Sequence, residues 1–300
     1  MALFEGFESL TVTGADNGPV HVRRAGEGPP LLLLHGFPQT QAMWHAVAPR
    51  LATEFTVVAA DLRGYGASRR TAAPEHARRT APSPSPYSKR AMAADLVRAM
   101  AELGYDRFGV AGHDRGGRCA YRLALDHPER VDRLAVLDIV PTADALDAVD
   151  APAARQLWRW FLLAQPYPVP ERLIAADPET LLFGAHAGLF APEALAAYRA
   201  AAADPAVVHA MCEDYRAMFG DDLDHDRADR RAGRRIQAPV LTLWGSRSHT
   251  ERHHDVLAVW RTWAREARGR ALDCGHFLPE EAPDETYAEL RSFFAEAATG

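Results

Sequence analysis

The sequence is poor in cysteine: Cys119, Cys212 and Cys274 are the three in 300 residues, and they lie far apart without CxxC spacing. Neither a disulfide framework nor a thiolate metal site is indicated, and the three read as buried small apolar residues. No stretch reaches the roughly 18 apolar residues of a membrane span. The opening MALFEGFESL lacks a basic region and a long apolar run, so no signal segment is indicated and a cytosolic protein is expected. Positive charge is not in excess either, because the net charge is −6 and Arg is interleaved with Asp and Glu. That leaves no basic face for nucleic acid or anionic lipid. An anionic substrate would have to be held by local arginines against the global charge. No internal repeat is visible.

What is present is enough apolar residue, 48%, to bury a large core, which fits one α/β domain or one such domain carrying an insertion. Runs that read as buried strands are LLLLHG at 31–36, FTVVAADL at 55–62, FGVAGHD at 108–114, LAVLDIV at 134–140 and PVLTLWG at 239–245. Helix-like segments at 42–51, 89–103, 116–126 and 254–267 alternate with them. The alternation predicts an α/β fold, a mostly parallel sheet with helices on both faces. Residues 141–235 break the rhythm, being rich in Ala, Arg, Asp and aromatics with helical periodicity and no convincing strand. They are expected to form a helical cap inserted between core segments 1–140 and 236–300. RTAAPEHARRTAPSPSP at 70–86 reads as an exposed loop of low complexity.

GVAGHDRGGR at 109–118 sets Asp114 between an apolar strand and a helix, with Gly112 and Gly116 small enough to permit a sharp turn. It resembles the nucleophile elbow of the α/β-hydrolases, with Asp in place of Ser. A plain helix N-cap is the bland alternative. The elbow is preferred because HGFP at 35–38 follows the LLLL strand, where this fold pairs two backbone N–H groups, here those of Phe37 and Arg115, into an anion hole. A carboxylate nucleophile attacking an sp³ carbon gives an alkyl ester that water can cleave at the aspartyl carbonyl. The leaving group is then a halide or an epoxide oxygen.

Ester cleavage needs a base, and LDCGHFLPEEAP at 272–283 supplies His276 between a strand-like segment and a terminal helix. With 13 histidines in the chain a lone one would be structural more often than not, but the Gly-His-Phe-x-Pro-Glu context favours this one. Its orienting acid is expected at Asp138 in VLDIVPT, because the alternative slot, WGSRSHTERHH, holds no carboxylate before Glu251. The bland role for Asp138 is capping the start of the helical segment. His249, His253 and His254 have a four-residue spacing that could suggest zinc, yet they lack the glutamate of an HExxH motif, and the chemistry needs no metal.

HGFPQTQAMW, DLRGYGAS, YSKRAMAADLV, GHDRGGR, LDIVPT, WFLLAQPYPVPE, CEDYRA and DCGHFLPEEAP together resemble the haloacetate dehalogenases, fluoroacetate-cleaving ones included, within the α/β-hydrolase fold. The likeness covers nearly the whole chain. It implies that Arg115 and Arg118 bind a substrate carboxylate, a role two guanidinium groups beside the nucleophile suit chemically. It also implies that Trp160 and Tyr215 hold the departing halide, with Arg159 standing where the family has His. The implied reaction turns a short 2-haloacid such as haloacetate into a 2-hydroxy acid plus halide, with no cofactor and with two chains forming a homodimer. Two rivals stand beside it. An epoxide hydrolase would use the same Asp, His and acid but needs two cap tyrosines, with Tyr215 joined by Tyr198, Tyr167 or Tyr65. A non-catalytic ligand receptor on the same fold is the other.

Overall fold

The structure is a computed structural model and describes residues 3–70 and 84–296. Most of the loop expected at 70–86 lies outside the described residues. Eight strands are present: β1 (Glu8–Thr13), β2 (Pro19–Ala25), β3 (Pro30–Leu34), β4 (Thr56–Ala60), β5 (Phe108–His113), β6 (Val131–Leu137), β7 (Val240–Gly245) and β8 (Ala267–Leu272). They form one sheet in the order β1-β2-β4-β3-β5-β6-β7-β8. From β4 onward every pairing is parallel, while β1 and β2 run antiparallel at one edge. The central strands are buried along their whole length and largely apolar because helices cover both faces and leave no side to water.

Two strands, β1 and β2, lie outside the runs expected from the sequence. β1 and β2 alternate polar and apolar residues and include Glu8, Arg23 and Arg24, so their apolar content is diluted on the wet face. β8 is the strand-like segment expected before His276, and it overlaps the helix expected over 254–267 only at Ala267. The helix ends at Trp263, and Arg268 and Arg270 lie on the exposed positions of an edge strand, where charge discourages pairing with another sheet. The segment 42–51 forms only a short 3-10 turn (Gln41–Trp44) and one α turn (Ala48–Leu51).

Between β6 and β7 the described chain is helical, from Thr142 to Arg231, and contains no strand. Buried polar contacts join this segment to the core. Asp226 accepts from the Tyr121 hydroxyl at 2.8 Å and from Arg122 Nη2 at 2.8 Å, and Tyr198 donates to Glu280. The loops leaving the carboxyl ends of β3, β5, β6 and β8 meet beneath these helices, the usual place for a site in an open parallel sheet.

Candidate active site

β5 delivers Asp114 into a tight turn before helix Arg115–Asp126, with φ +47° and ψ −115°. Such a conformation is strained for a residue with a side chain and persists only where packing imposes it. Here the imposition is close backbone approach: a Cβ on Gly112 would stand 2.4 Å from the Gly116 carbonyl oxygen, and one on Gly116 2.4 Å from that of His35. The turn aims the Asp114 carboxylate at the loop after β3, where Oδ2 accepts the Phe37 N–H at 2.9 Å. The Arg115 N–H, in the first turn of its helix, has no acceptor within the helix. Burial pushes the Asp114 carboxyl up, but the charge of His276 first, then that of Arg115 and the Phe37 N–H, hold it below its ordinary value.

Asp138 leaves β6 with φ +52°, and its carboxylate faces the loop after β8. His276 Nδ1 lies 2.6 Å from Asp138 Oδ2. Asp138 is fixed in turn by the Gly245 N–H at 3.0 Å and the Thr250 hydroxyl at 3.3 Å. With Nδ1–H spent on Asp138, Nε2 is the free nitrogen of His276. Burial lowers the His276 pKa, yet the hydrogen bond and charge of Asp138, then the charge of Asp114, raise it above the ordinary value. Glu251, the later carboxylate, accepts instead from Trp244 Nε1.

Three contacts hold the His276 backbone, none of them anticipated from the sequence. Glu281 accepts the N–H of Gly275 at 2.8 Å and that of Phe277 at 2.9 Å, gripping both neighbours of His276 with one carboxylate. His113 Nε2 lies 2.7 Å from the His276 carbonyl. Burial, then the charge of His276, lowers the His113 pKa to about 4. His113 is therefore neutral, and it donates through Nε2.

The two arginines expected to act together are placed differently. Arg118 is 2% exposed and lines the cavity that Asp114 and His276 share. Its Nη1 donates to the Val140 carbonyl at 3.2 Å and the Thr142 hydroxyl at 3.0 Å, and its Nε has no partner. Among the described residues no carboxylate pairs with it. Arg115 is turned away from the cavity wall. Its guanidinium binds the Asp214 carboxylate and carbonyl and stacks 4.5 Å from the Tyr215 ring centroid. Asp214 is shared with Lys89, the chain's sole lysine, and with the Tyr65 hydroxyl at 2.9 Å. This buried cluster is the second feature that went unread, because Lys89 and Asp214 stand 125 positions apart.

The cavity has a volume of about 340 Å³ and is lined by Phe37, Asp114, Arg118, Trp160, Tyr215 and His276 among others. Trp160 packs beneath Arg118, whose guanidinium carbon is 5.2 Å from the ring centroid. Arg159 lines the same cavity and donates through Nε to the Leu181 carbonyl at 2.9 Å. His186, singled out by nothing in the sequence, lines it too and meets Phe277 edge-on. Of the tyrosines considered as partners for an epoxide oxygen, Tyr215 alone is among the cavity-lining residues. Tyr65 is committed to Asp214, Tyr198 to Glu280, and Tyr167 is exposed against His209. His249 and His253 stack at 4.2 Å, and His249 bonds Gln156 at 2.9 Å. No group of three metal-ligating side chains occurs among the described residues.

Comparison with known proteins agrees with this architecture. The alpha/beta hydrolase fold family matches residues 29–283. A fluoroacetate dehalogenase of Burkholderia sp is 45% identical over 308 residues, covering 99% of this chain and 97% of that protein. A soluble epoxide hydrolase of Corynebacterium sp. (strain C12) is 32% identical over 92% of this chain and 93% of its own. Among solved structures, an alpha/beta hydrolase of Nostoc sp PCC 7120 superposes with a TM-score of 0.89 at 48% identity, covering 97% of this chain and 99% of that one. The strained turn at Asp114, the loop after β3 that meets it and the matches across nearly the whole length agree, and the chain belongs to the α/β hydrolase fold family.

Proposed function

We propose that this protein is a hydrolytic dehalogenase of short 2-haloacids that works through an ester on Asp114. The observation that carries the reading is Arg118, a buried guanidinium with no carboxylate partner among the described residues, in the same cavity as an aspartate at a nucleophile elbow. An unbalanced buried cation is costly, and an anionic substrate would satisfy it. With the carboxylate on Arg118, the α-carbon faces Asp114. The Asp114 carboxylate displaces halide, forming a C–O bond as the carbon–halogen bond breaks, while Trp160 and Tyr215 hold the leaving anion. His276 then takes a proton from water, whose oxygen attacks the Asp114 carbonyl carbon. The oxyanion rests on the N–H groups of Phe37 and Arg115, and Asp138 stabilises the imidazolium. His276 returns the proton to the departing hydroxy acid. Residues 141–235 act as the cap over a base made of 1–140 and 236–300. The resemblance also implies a homodimer, which light scattering measures.

The Burkholderia relative's name supports carbon–halogen cleavage, and the epoxide-hydrolase relatives keep ring opening as the competitor. A lone cavity tyrosine weighs against ring opening, since two phenols normally protonate the opening oxygen. The test is ion-selective measurement of halide released from fluoro-, chloro- and bromoacetate, run beside turnover of a simple epoxide. Halide release without epoxide opening is expected. Epoxide turnover with no halide from any haloacetate would overturn the reading.

A further inference from the structure

The cavity is larger than a haloacetate requires, and beside the carboxylates of Asp114, Asp138 and Glu281 its lining carries more arginine than one carboxylate needs. About 340 Å³ lies within the range that holds drug-sized ligands, whereas a haloacetate has only a handful of heavy atoms. Three arginines line it, and they differ in how their charge is met. Arg247 pairs with Asp273. Arg118 and Arg159 have no carboxylate partner among the described residues.

Arg159 is held in place without being neutralised. Its Nε donates to the Leu181 carbonyl at 2.9 Å, its Nη2 makes only a long contact of 3.5 Å to the Thr180 carbonyl, and its guanidinium carbon stacks 4.6 Å from the Trp158 ring centroid. Neutral carbonyls and a ring fix its direction but leave a half-buried positive charge. Nη1 makes no hydrogen bond within the described structure. His186, on the same wall, adds a second donor ring, and burial followed by the charge of Arg159 keeps that imidazole below its ordinary pKa. It is a neutral neighbour that can donate without adding charge.

We propose that Arg159 binds a second anionic group of the substrate, so that the preferred substrates are 2-halodicarboxylates. One carboxylate sits on Arg118 and the other, carried one or two carbons away, on Arg159. The inference rests on the dehalogenase reading of Asp114 and Arg118. Its chemistry is unchanged: Asp114 displaces halide from C2, water cleaves the ester, and the products are a 2-hydroxydicarboxylate, halide and a proton. The reaction supplying such a substrate would be a halogenation or a hydrogen halide addition at the carbon beside a carboxyl group.

The experiment compares kcat/KM for 2-chlorosuccinate and 2-chlorobutanoate, which share chain length and a secondary chloride but differ in the distal charge. The wild-type protein is expected to favour chlorosuccinate by about 10-fold or more, the worth of one charge-assisted contact. Arg159→Met should bring the ratio toward one, and Arg159→Lys, which keeps a point charge but loses the planar fork, should leave it between the two. A wild-type ratio at or below one overturns the proposal, as does a ratio that Arg159→Met leaves unchanged. Release of chloride from chlorobutanoate and chloroacetate with no dianion preference would remove Arg159 from substrate binding while leaving the dehalogenase reading standing. No chloride from any of the three would remove that reading as well.

Discussion

Asp114 and Asp138 both adopt positive φ at the ends of parallel strands, and the two strained turns bring the Asp138 carboxylate to His276 Nδ1 and the Asp114 carboxylate to the cavity that His276 lines. Asp114 and His276 were legible in the sequence because each stands in a compact local pattern, glycines around Asp114 and a Gly-His-Phe-x-Pro-Glu run around His276, whereas Asp138 followed from the lack of a carboxylate before Glu251 in the alternative slot. Arg118 was expected from the family resemblance, and it stands on the cavity wall one helical turn beyond Asp114. The different environment of Arg115 was not, because it depends on Asp214 and Lys89, which no local spacing connects to it. The two arginines should therefore fail differently. Arg118→Met should cost haloacetate turnover about 1.5–3 kcal/mol in kcat/KM while sparing chloroacetamide, which has no carboxylate to lose. Arg115→Met should instead lower thermal stability, since removing one partner of a buried ion pair costs about 3–5 kcal/mol. Equal losses on both substrates for Arg118→Met would make that residue structural. Fluoride is a poor leaving group that needs several donors, and an Arg159 that serves a second anionic group rather than the halide leaves Trp160 and Tyr215 to supply them. Chloroacetate and bromoacetate should accordingly turn over faster than fluoroacetate. Faster fluoroacetate turnover would contradict this account of the halide pocket.

At the scale of elements, the five buried parallel strands were readable because strands covered on both faces become uninterrupted apolar runs. β1 and β2 were not, and β8 showed only as a strand-like segment before His276, since an edge or half-wet strand dilutes that signal with Arg and Glu. The turn after β8 depends on Glu281, whose carboxylate spans the N–H groups on either side of His276. Glu281→Gln keeps size but puts an amide N–H against one of those donors. The expected outcome is a loss of about 1–3 kcal/mol of stability and a fall in kcat larger than any rise in KM. A urea-unfolding curve and steady-state kinetics read the two effects. Unchanged kcat would mean that the Glu281 contacts do not position His276.

Over the whole molecule, the two steps of the proposed reaction depend on pH in opposite ways. His276 must be neutral to take a proton from water, and its pKa lies above the ordinary histidine value of about 6.5, so ester hydrolysis should slow as pH falls through that raised pKa. Asp114 is held below the ordinary carboxylate value, so it stays ionised and displacement continues at about pH 5. In wild-type protein quenched during turnover, the fraction carrying an ester should therefore be larger at about pH 5 than at about pH 8. The same separation of steps can be made permanent by removing the base. Replacing His276 with Asn leaves the nucleophile in place and takes away the group that activates water. Intact-protein and peptide mass spectrometry of His276→Asn after incubation with chloroacetate should find one carboxymethyl group, located on Asp114 and missing when Asp114→Asn is added. An unmodified protein, or a modification located anywhere but Asp114, would contradict the account.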